Sequence, residues 1–518
     1  MNALRSKWFL AGWLSVISCL HVYAEITLPA LVSDGMVLQQ GMKLKIWGHA
    51  DPGEAITVSF NGAQASAAAD NSGKWMVRLG PFAAGGPYTM IIRGKNTITL
   101  HDILVGEVWI CSGQSNMEMT VGPGDTPGLY AYHNMPGVKD YQQVLAQADY
   151  PKMRLFTVAK AVANAPLTDV QGHWVAARPE TVNDFSAVGY FFGRELLQNL
   201  NVPIGLIHAS WGGTIAEAWM SRSVVESDPD FKGSLDREKY FLSTYPKVFQ
   251  DFQTQFDQWK ESSDAAEAAG KQIPEPPKVP FDPRKNPNRT GALYNGMIAP
   301  LTPYGIKGVI WYQGESNGDH PESYHKLFPA LIQNWRDSWD EGDFPFLYVQ
   351  LPNFGVEGLR FIPIREAQLM TLSTPKTGMA VTIDIGDAGD IHPKNKHEVG
   401  HRLALAAQAI AYGQDVMFSG PIYDSMNVEQ DKIRLHFNHV YGGLVAGPLA
   451  TVLLGFEIAG EDKKFIPGVA TIDGGAIVVR STSVPHPVAV RYAWAMNTFC
   501  NLYNQAGLPA SPFRTDNW

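Results

Sequence analysis

The central part of the chain, from about residue 105 to 413, alternates short apolar runs with amphipathic stretches, and this alternation restricts the fold more than any other feature. Residues 108–111, 204–208 and 308–312 are typical of buried strands, whereas stretches such as 323–339 have helical periodicity. Strands that alternate with helices form right-handed βαβ units. We therefore predict an α/β fold, with a mostly parallel sheet between two layers of helices.

The segments on either side of this region have the pattern of antiparallel strands. Residues 25–104 contain several such runs separated by turn signals such as Asn61-Gly62, which predicts an N-terminal β-sandwich domain. Residues 416–491 predict a second β subdomain. The terminal segment 492–518, which is aromatic and marked by prolines, is expected to pack back on the body of the protein.

An insertion at about 224–290 divides the central region, for which we set the bounds 105–415. Within it, residues 249–259 predict an exposed helix, and the proline-rich residues 274–280 predict a stiff extended segment. Two interpretations remain open. The insertion either covers part of the mouth of a site at the sheet edge or is a surface excursion.

The first 24 residues have the pattern of a secretory signal peptide. Two basic residues precede an apolar run, and small residues before Glu25 form a cleavage site. This pattern predicts a secreted or periplasmic protein that does not associate with a membrane. In a competing interpretation the same residues are a bacterial lipobox, and Cys19 would then be lipidated. The formal net charge of −9 excludes a general nucleic-acid-binding surface.

Ser115 lies where the first apolar strand of the central region breaks off before the helix-compatible Met117-Glu118-Met119. A turn of this kind, at the carboxyl edge of a parallel sheet, lifts a hydroxyl clear of the sheet and aims backbone N–H groups at the same point. Ser115 is therefore a candidate nucleophile. The alternative is that it merely caps a helix.

Three further loops follow strands of the same sheet, so their ends should converge on Ser115. With the loop of Ser115 as the first, the second loop contains Gly212 and Gly213, whose backbone N–H groups can approach a ligand as an oxyanion hole requires. The third loop contains Gln313 and Asn317, whose side-chain amides are candidate donors to the same oxyanion.

The fourth loop contains His392, the natural general base, because acyl transfer by a serine needs a group that titrates near neutrality. A carboxylate should hold its other ring nitrogen. Asp390 is the closest in sequence, and Asp384 or Asp387 are alternatives. Taken alone, His392 would more often be a structural histidine, but Ser115 and the two donor loops favour a catalytic role.

These four loops resemble the signature blocks of the SGNH hydrolases, and more closely those of the sialate O-acetylesterase branch. Segments 28–39, 293–298 and 365–368 add to the likeness, which covers most of the mature chain. The resemblance implies an SGNH-hydrolase (flavodoxin-like) three-layer domain. It also implies that Ser115 is the nucleophile and His392 its base.

The same resemblance implies an oxyanion hole made by the N–H of Ser115, a glycine N–H at Gly212 or Gly213, and a side chain of the third block. Two departures matter. Many SGNH enzymes have aspartate three residues before the histidine, where this chain has Gly389. The asparagine usual in the third block is also replaced, with Gln313 as the candidate donor.

The resemblance implies a secreted serine esterase, which removes O-acetyl groups from sialic acid through an acetyl-serine intermediate. No metal and no organic cofactor are expected. Gln114, Glu315 and Arg365 are candidate substrate contacts, the last because a sialic acid carries a carboxylate. Acetylated xylan or another acetylated sugar is the alternative substrate.

Two rival functions come from other classes. The run His397-Glu398-Val399-Gly400-His401 fits the H-E-x-x-H pattern of zinc metallopeptidases, although Gly400 weakens a helix and no third ligand follows at a recognisable spacing. A non-catalytic carbohydrate-binding protein built from the β domains is the other. The presence of Ser115 and His392 with both donor loops argues against it.

Overall fold

The computed structural model describes residues 25–124, 136–356, 358, 360–447 and 451–518. The expected signal peptide, residues 1–24 with Cys19, lies outside the described residues. Within the described ranges, no helix is both long and apolar enough to cross a membrane.

The N-terminal unit is built from short strands with one buried and one exposed face, as alternating sequences require. Strands β3, β4 and β6 form one sheet with β1 and the first half of β7, and β2 pairs with β5. The strands are β1 Val37–Gln39, β2 Leu44–His49, β3 Ala55–Phe60, β4 Ala63–Ala68, β5 Lys74–Leu79, β6 Gly85–Arg93 and β7 Thr97–Gly113.

Strand β7 leaves this unit and continues as the middle of a second, larger sheet. The strands of that sheet lie in the order β13-β12-β11-β7-β10-β8-β9, and all but the edge strand β9 run parallel. The added strands are β8 Tyr150–Thr157, β9 Trp174–Ala177, β10 Ile204–Ser210, β11 Gly308–Tyr312, β12 Phe346–Val349 and β13 Thr377–Ala380. The chain goes to one side of β7 first and to the other side later, so the carboxyl end of β7 is a topological switch point, where open α/β sheets bind ligands.

Helices cover both faces of this sheet, as predicted. Trp109 on β7 contacts Phe192 with 5.0 Å between ring centroids, whereas Trp311 on β11 contacts Trp335 at 5.8 Å. Trp311 pairs with Ser112, three residues after Trp109, so the two indoles point to opposite faces. The helices are α1 Ser115–Glu118, α2 Tyr141–Ala146, α3 Pro179–Val182, α4 Ala187–Leu200, α5 Arg222–Ser227, α6 Lys232–Ala268, α7 Tyr324–Trp339, α8 Phe361–Met370 and α9 Lys396–Ile410.

The C-terminal unit consists of antiparallel sheets around a core of its own, which includes Ile433, Ile458 and Val479. One sheet has the order β14-β15-β20-β19 and another β18-β17-β21-β23, and β16 pairs with β22. The strands are β14 Ile422–Glu429, β15 Lys432–Asn438, β16 Leu444–Ala446, β17 Phe456–Ala459, β18 Ile466–Pro467, β19 Val469–Asp473, β20 Ala476–Arg480, β21 Ala489–Tyr492, β22 Leu502–Asn504 and β23 Phe513–Arg514.

The domain boundaries set from sequence differ from the structure in two places. The boundary at residue 104 falls inside β7. The hydrophobic pattern of this strand changes there, since the strand is half-exposed in the first sheet and fully buried in the second, but the strand itself continues. The segment 492–518 supplies β22 and β23 to the C-terminal sheets, so it belongs to that unit as well as packing on the central one.

The insertion is a long helix followed by an extended return segment. Helix α6 has 37 residues, far more than the 249–259 predicted, and it contains Pro246. The chain then returns through residues 271–282 without regular structure. The periodicity of residues 232–248 is weak because that part of the helix packs on polar neighbours such as Arg289 and Thr290 through Glu238.

Candidate active site

Ser115 begins helix α1 directly after the switch-point strand. Gly113 has a φ of +138°, and a Cβ there would lie 2.1 Å from the carbonyl oxygen of Tyr312, so only glycine lets β7 and β11 end this close together. The N–H of Gln114 donates to the same carbonyl at 2.9 Å. Ser115 is 5% exposed, and its N–H lies in the first turn of α1, where no preceding turn supplies a carbonyl.

The second loop lies against the serine. A Cβ on Gly212 would be 3.1 Å from the Cβ of Ser115, so the absence of a side chain there is needed for the contact. The N–H of Gly212, however, donates to Glu118 Oε2 at 2.5 Å, a carboxylate that also pairs with Lys160. Of the two glycines, Gly213 therefore keeps an N–H that no described residue accepts.

The fourth loop reaches the serine through Asn116. The side chain of Asn116 donates from Nδ2 to the carbonyl oxygen of Ile391 at 3.0 Å, which ties the residue after Ser115 to the residue before His392. Asp390 Oδ1 accepts the backbone N–H of His392 at 2.8 Å. The structure thus ties the loop of Ser115 to the loop that carries Asp390 and His392, and the catalytic roles of the three residues stay predictions.

Burial lowers the pKa of His392 to about 4, with Lys396 acting in the same direction and Asp390 in the opposite one. The imidazole is therefore neutral at neutral pH, which is the form that accepts a proton.

A buried polar cluster, formed by Lys396, Asn116 and Glu315, links three of the four loops. Lys396 Nζ donates to Asn116 Oδ1 at 2.5 Å, and Asn116 Nδ2 donates to Glu315 Oε1 at 2.6 Å. Burial lowers the pKa of the fully buried Lys396 to about 7 and raises the pKa of the Glu315 carboxyl. The expectation that Glu315 contacts substrate stays a prediction; its observed role is to hold Asn116.

The side chain of Gln313 is hydrogen-bonded to other protein groups in the interior. Its Nε2 donates to the carbonyl of Thr214 at 3.1 Å and to Asn317 Oδ1 at 2.6 Å, and its Oε1 accepts the hydroxyl of Tyr324 at 2.9 Å. The side chain is fully buried. Gln313 has no amide hydrogen left for an oxyanion, contrary to the sequence-based expectation, because a buried amide must satisfy all its groups within the protein.

Asn317 gives one amide hydrogen to Glu217 Oε2, at 2.9 Å, and keeps a second. It therefore remains the candidate side-chain donor of the third block. Gln114 Oε1 accepts the N–H groups of Gly314 and Ser316 at 3.4 and 3.2 Å, which fastens the first loop to the third. A contact of Gln114 with substrate stays a prediction.

Arg365 is a structural residue and not the substrate contact suggested by the sequence. It is 1% exposed, and its guanidinium donates to four backbone carbonyls, those of Leu351, Pro352, Ala495 and Met496. Burial lowers its pKa to about 10, so it stays charged at neutral pH. A guanidinium saturated in this way has no free donors for the carboxylate of a sugar.

The side chains of the H-E-x-x-H run have other partners within and beside α9. His401 Nδ1 lies 2.9 Å from Glu195 Oε2, Glu398 pairs with Arg402 at 2.9 Å, and His397 packs against Phe191. Among the described residues, no group of three or more His, Cys, Asp or Glu side chains is placed to hold a metal ion.

Two residues that the sequence did not single out take part in the site. Glu118 accepts from Gly212, and Lys396 holds Asn116. The sequence feature that could have identified them is a charged residue on a helix face that the periodicity predicts to be buried. Lys396 begins the apolar face of α9, and Glu118 lies one turn after Ser115.

Comparison with known proteins identifies the family of the chain. A family model described as carbohydrate esterase, sialic acid-specific acetylesterase, matches residues 105–244 and 284–409. The chain belongs to this family. The resemblance stated from sequence is confirmed, and the chain is a carboxylic ester hydrolase.

Relatives in the family match over nearly their whole length. Sialate O-acetylesterase of Rattus norvegicus is 32% identical over 536 residues, which cover 93% of each chain. The Homo sapiens enzyme of the same name is 29% identical over 532 residues, covering 93% of this chain and 91% of that one. A solved structure, a carbohydrate acetylesterase from Xanthomonas citri, has 37% identity and a TM-score of 0.79, and the match covers 95% of this chain and all of that one.

Proposed function

We propose that the protein is a secreted serine esterase of the SGNH type that removes O-acetyl groups from sialic acid. The observation that carries the mechanism is the hydrogen bond from Asn116 to Ile391, because it fastens the loop of Ser115 to the loop of His392 at the switch point of the sheet. The names of the relatives support the substrate. Acetylated xylan or another acetylated sugar remains the second candidate, supported by the broader name of the Xanthomonas citri enzyme.

In the first half of the reaction, His392 takes the proton of the Ser115 hydroxyl as Oγ bonds to the acetyl carbon. The oxyanion is held by the N–H groups of Ser115 and Gly213, with Asn317 as side-chain donor. When the intermediate collapses, the bond to the sugar oxygen breaks and that oxygen takes the proton from His392. The acetyl group is then on Ser115.

In the second half, a water molecule gives a proton to His392 and attacks the acetyl carbon. The bond to Ser115 Oγ breaks, acetate leaves and the proton returns to the serine. Asp390 is the proposed acid partner of His392, since its charge favours the imidazolium that forms in both halves.

Acetate release from O-acetylated sialic acid and from acetylated xylan, measured in parallel with and without a chelator, tests this function. Ser115→Ala should lose turnover by on the order of 10⁴-fold or more, since the nucleophile is gone. Ser223→Ala, an exposed serine of α5, is the matched control and should keep full activity. Wild-type protein treated with a fluorophosphonate should carry the label on the peptide that contains Ser115. Full activity of Ser115→Ala would refute the mechanism, and loss to the chelator would favour the metallopeptidase.

Export completes the proposal and is supported by residues 1–24 alone. Mass spectrometry of the protein made by an exporting cell distinguishes an N-terminus at Glu25 from a lipid-modified Cys19.

A further inference from the structure

A cavity of about 360 Å³ opens between the second loop, the third loop and the insertion. Gly213 and Ser316 come from the two loops, and Arg237, Phe241 and Asn288 come from the insertion. Its volume lies within the range of small-molecule sites, roughly 300–1,000 Å³.

The cavity is lined by residues of the two loops that contact the nucleophile loop, although Ser115 itself does not line it. Gly213 follows Gly212, which packs on Ser115 as described above. Ser316 donates its N–H to Gln114, the residue before Ser115, at 3.2 Å. Both contacts place the cavity beside residues that adjoin Ser115.

The insertion forms a fixed wall of the cavity. Asn288 Nδ2 donates to the carbonyl of Gly213 at 3.0 Å, and Asn288 Oδ1 accepts the N–H of Ile215 at 2.8 Å. Glu238, on the first turns of α6, accepts the N–H of Thr290 at 3.2 Å. Both ends of the insertion are thus hydrogen-bonded to the second loop or to each other.

The charges along the wall leave one cation without a protein partner. Glu238 is neutralised by Arg222 at 3.1 Å and Arg289 at 3.2 Å. Asp319 is exposed at the rim. Arg237 is half-buried, and within the described part of the chain its guanidinium makes neither an ion pair nor a hydrogen bond.

Arg237 also lines a second, adjoining cavity of about 490 Å³, so it lies on the wall that the two cavities share. A half-buried guanidinium offers a planar fork of donors that fits a carboxylate bidentately, and removal of part of its water strengthens that pairing. The exposed ring of Phe241 adds an apolar surface to the cavity. A guanidinium and an aromatic ring together suit an acidic sugar better than a neutral one.

We propose that this cavity binds the sugar of the substrate and that Arg237 pairs with the carboxylate of an acidic sugar, which makes Arg237 the residue that selects sialic acid over neutral acetylated sugars. The inference rests on the proposed function of Ser115. It gives the insertion a role in substrate selection.

Kinetics of Arg237→Gln on three substrates test the proposal: O-acetylated sialic acid, the methyl ester of the same compound, and an acetylated xylo-oligosaccharide. The kcat/KM for the acid should fall about 10- to 100-fold, mainly through KM, because a hydrogen-bonded charge pair is lost. The kcat/KM values for the ester and the neutral sugar should not change, which also shows that the variant is folded. Arg237→Lys should recover part of the loss, since the charge returns without the fork.

Lys239→Gln is the matched control, because Lys239 is an exposed cation two residues along α6 that does not line this cavity. It should leave all three substrates unaffected. An equal loss on the acid and on its ester in Arg237→Gln would overturn the proposal, as would no loss on the acid. Failure of the proposed function itself would appear separately, as full activity of Ser115→Ala on the neutral sugar.

Discussion

His392 is half-buried between one positive and one negative side chain, and these neighbours set its protonation state. Lys396 disfavours the imidazolium, Asp390 favours it, and burial is the largest influence. Lys396 is itself held by Asn116, which also holds Glu315 and the carbonyl before His392. The cluster therefore both positions the loop of the base and keeps the base unprotonated.

The pH profile should show this arrangement. With a His392 pKa of about 4, kcat/KM rises as pH increases through about 4, well below the 6.5 of a free histidine. Lys396→Met removes a charge that lowers this pKa, so the rise moves to higher pH. Asp390→Asn removes a charge that raises it, so the rise moves to lower pH. Profiles of wild type and both variants on one substrate check the directions, and a rise near 6.5 in the wild type would contradict them.

The sequence predicts the place of a residue well where the local backbone sets it. It does not predict which distant groups hydrogen-bond to that residue. The position of Ser115 directly after β7 follows from the strand-to-turn pattern alone, whereas the hydrogen bond from the Gly212 N–H to Glu118 does not. Gln313 and Arg365 failed as ligand contacts because acceptors of their N–H groups, the carbonyl of Thr214 and the carbonyls near residue 495, come from other elements. No local pattern shows that an amide or a guanidinium is already saturated.

The far half of helix α6, beyond the residues that line the substrate cavity, carries a ladder of aromatic side chains. Successive residues lie four, three, four and three positions apart, and their ring centroids lie 5.3 to 6.0 Å apart: Tyr245, Phe249, Phe252, Phe256 and Trp259. Trp259 Nε1 donates to the carbonyl of Pro274 at 2.7 Å, so the return segment is fastened to this ladder. The family model leaves out residues 245–283, and of these residues only Pro283, at the end of the return segment, lines the cavity.

Trp259→Ala should therefore loosen the return segment without changing catalysis. Loss of the hydrogen bond and of the ring should raise the rate of cleavage by endoproteinase Lys-C at Lys271 and Lys278 by about fivefold or more. Acetate release should stay at the wild-type level. Lys260→Ala, an exposed neighbour, is the control for cleavage. A loss of activity in Trp259→Ala would show that the far half of α6 takes part in the reaction.

The three units of the molecule are joined in different ways, and only some of this was readable from the sequence. Strand β7 runs without a break from the N-terminal unit into the central sheet, and one apolar core spans both. The C-terminal unit has a separate core and meets the central unit through polar contacts, among them Gln350 with Ser511 at 2.9 Å. The alternation of strands and helices predicted the central sheet because its periodicity is local, whereas the joints between units depend on pairings across more than a hundred residues.

Arg365 fastens the joint between the central and C-terminal units from both sides. Two of its four carbonyl partners, at Leu351 and Pro352, belong to the central unit, and two, at Ala495 and Met496, belong to the C-terminal one. Arg365→Met keeps the volume but leaves these buried carbonyls without donors, so the free energy of unfolding should fall by about 3 kcal/mol or more. Thermal unfolding, followed by calorimetry, measures the loss.

Arg514→Met is the matched control at the same joint. Its ion pair with Glu366, at 2.6 Å, is partly exposed, with side-chain exposures of 27% and 26%, so its removal should cost only about 0–1 kcal/mol. Because Arg365 acts on stability and not on substrate, Arg365→Met should change kcat/KM for O-acetylated sialic acid and for a neutral acetylated sugar by the same factor. A selective loss on the acid would instead make Arg365 the carboxylate contact and remove that role from Arg237.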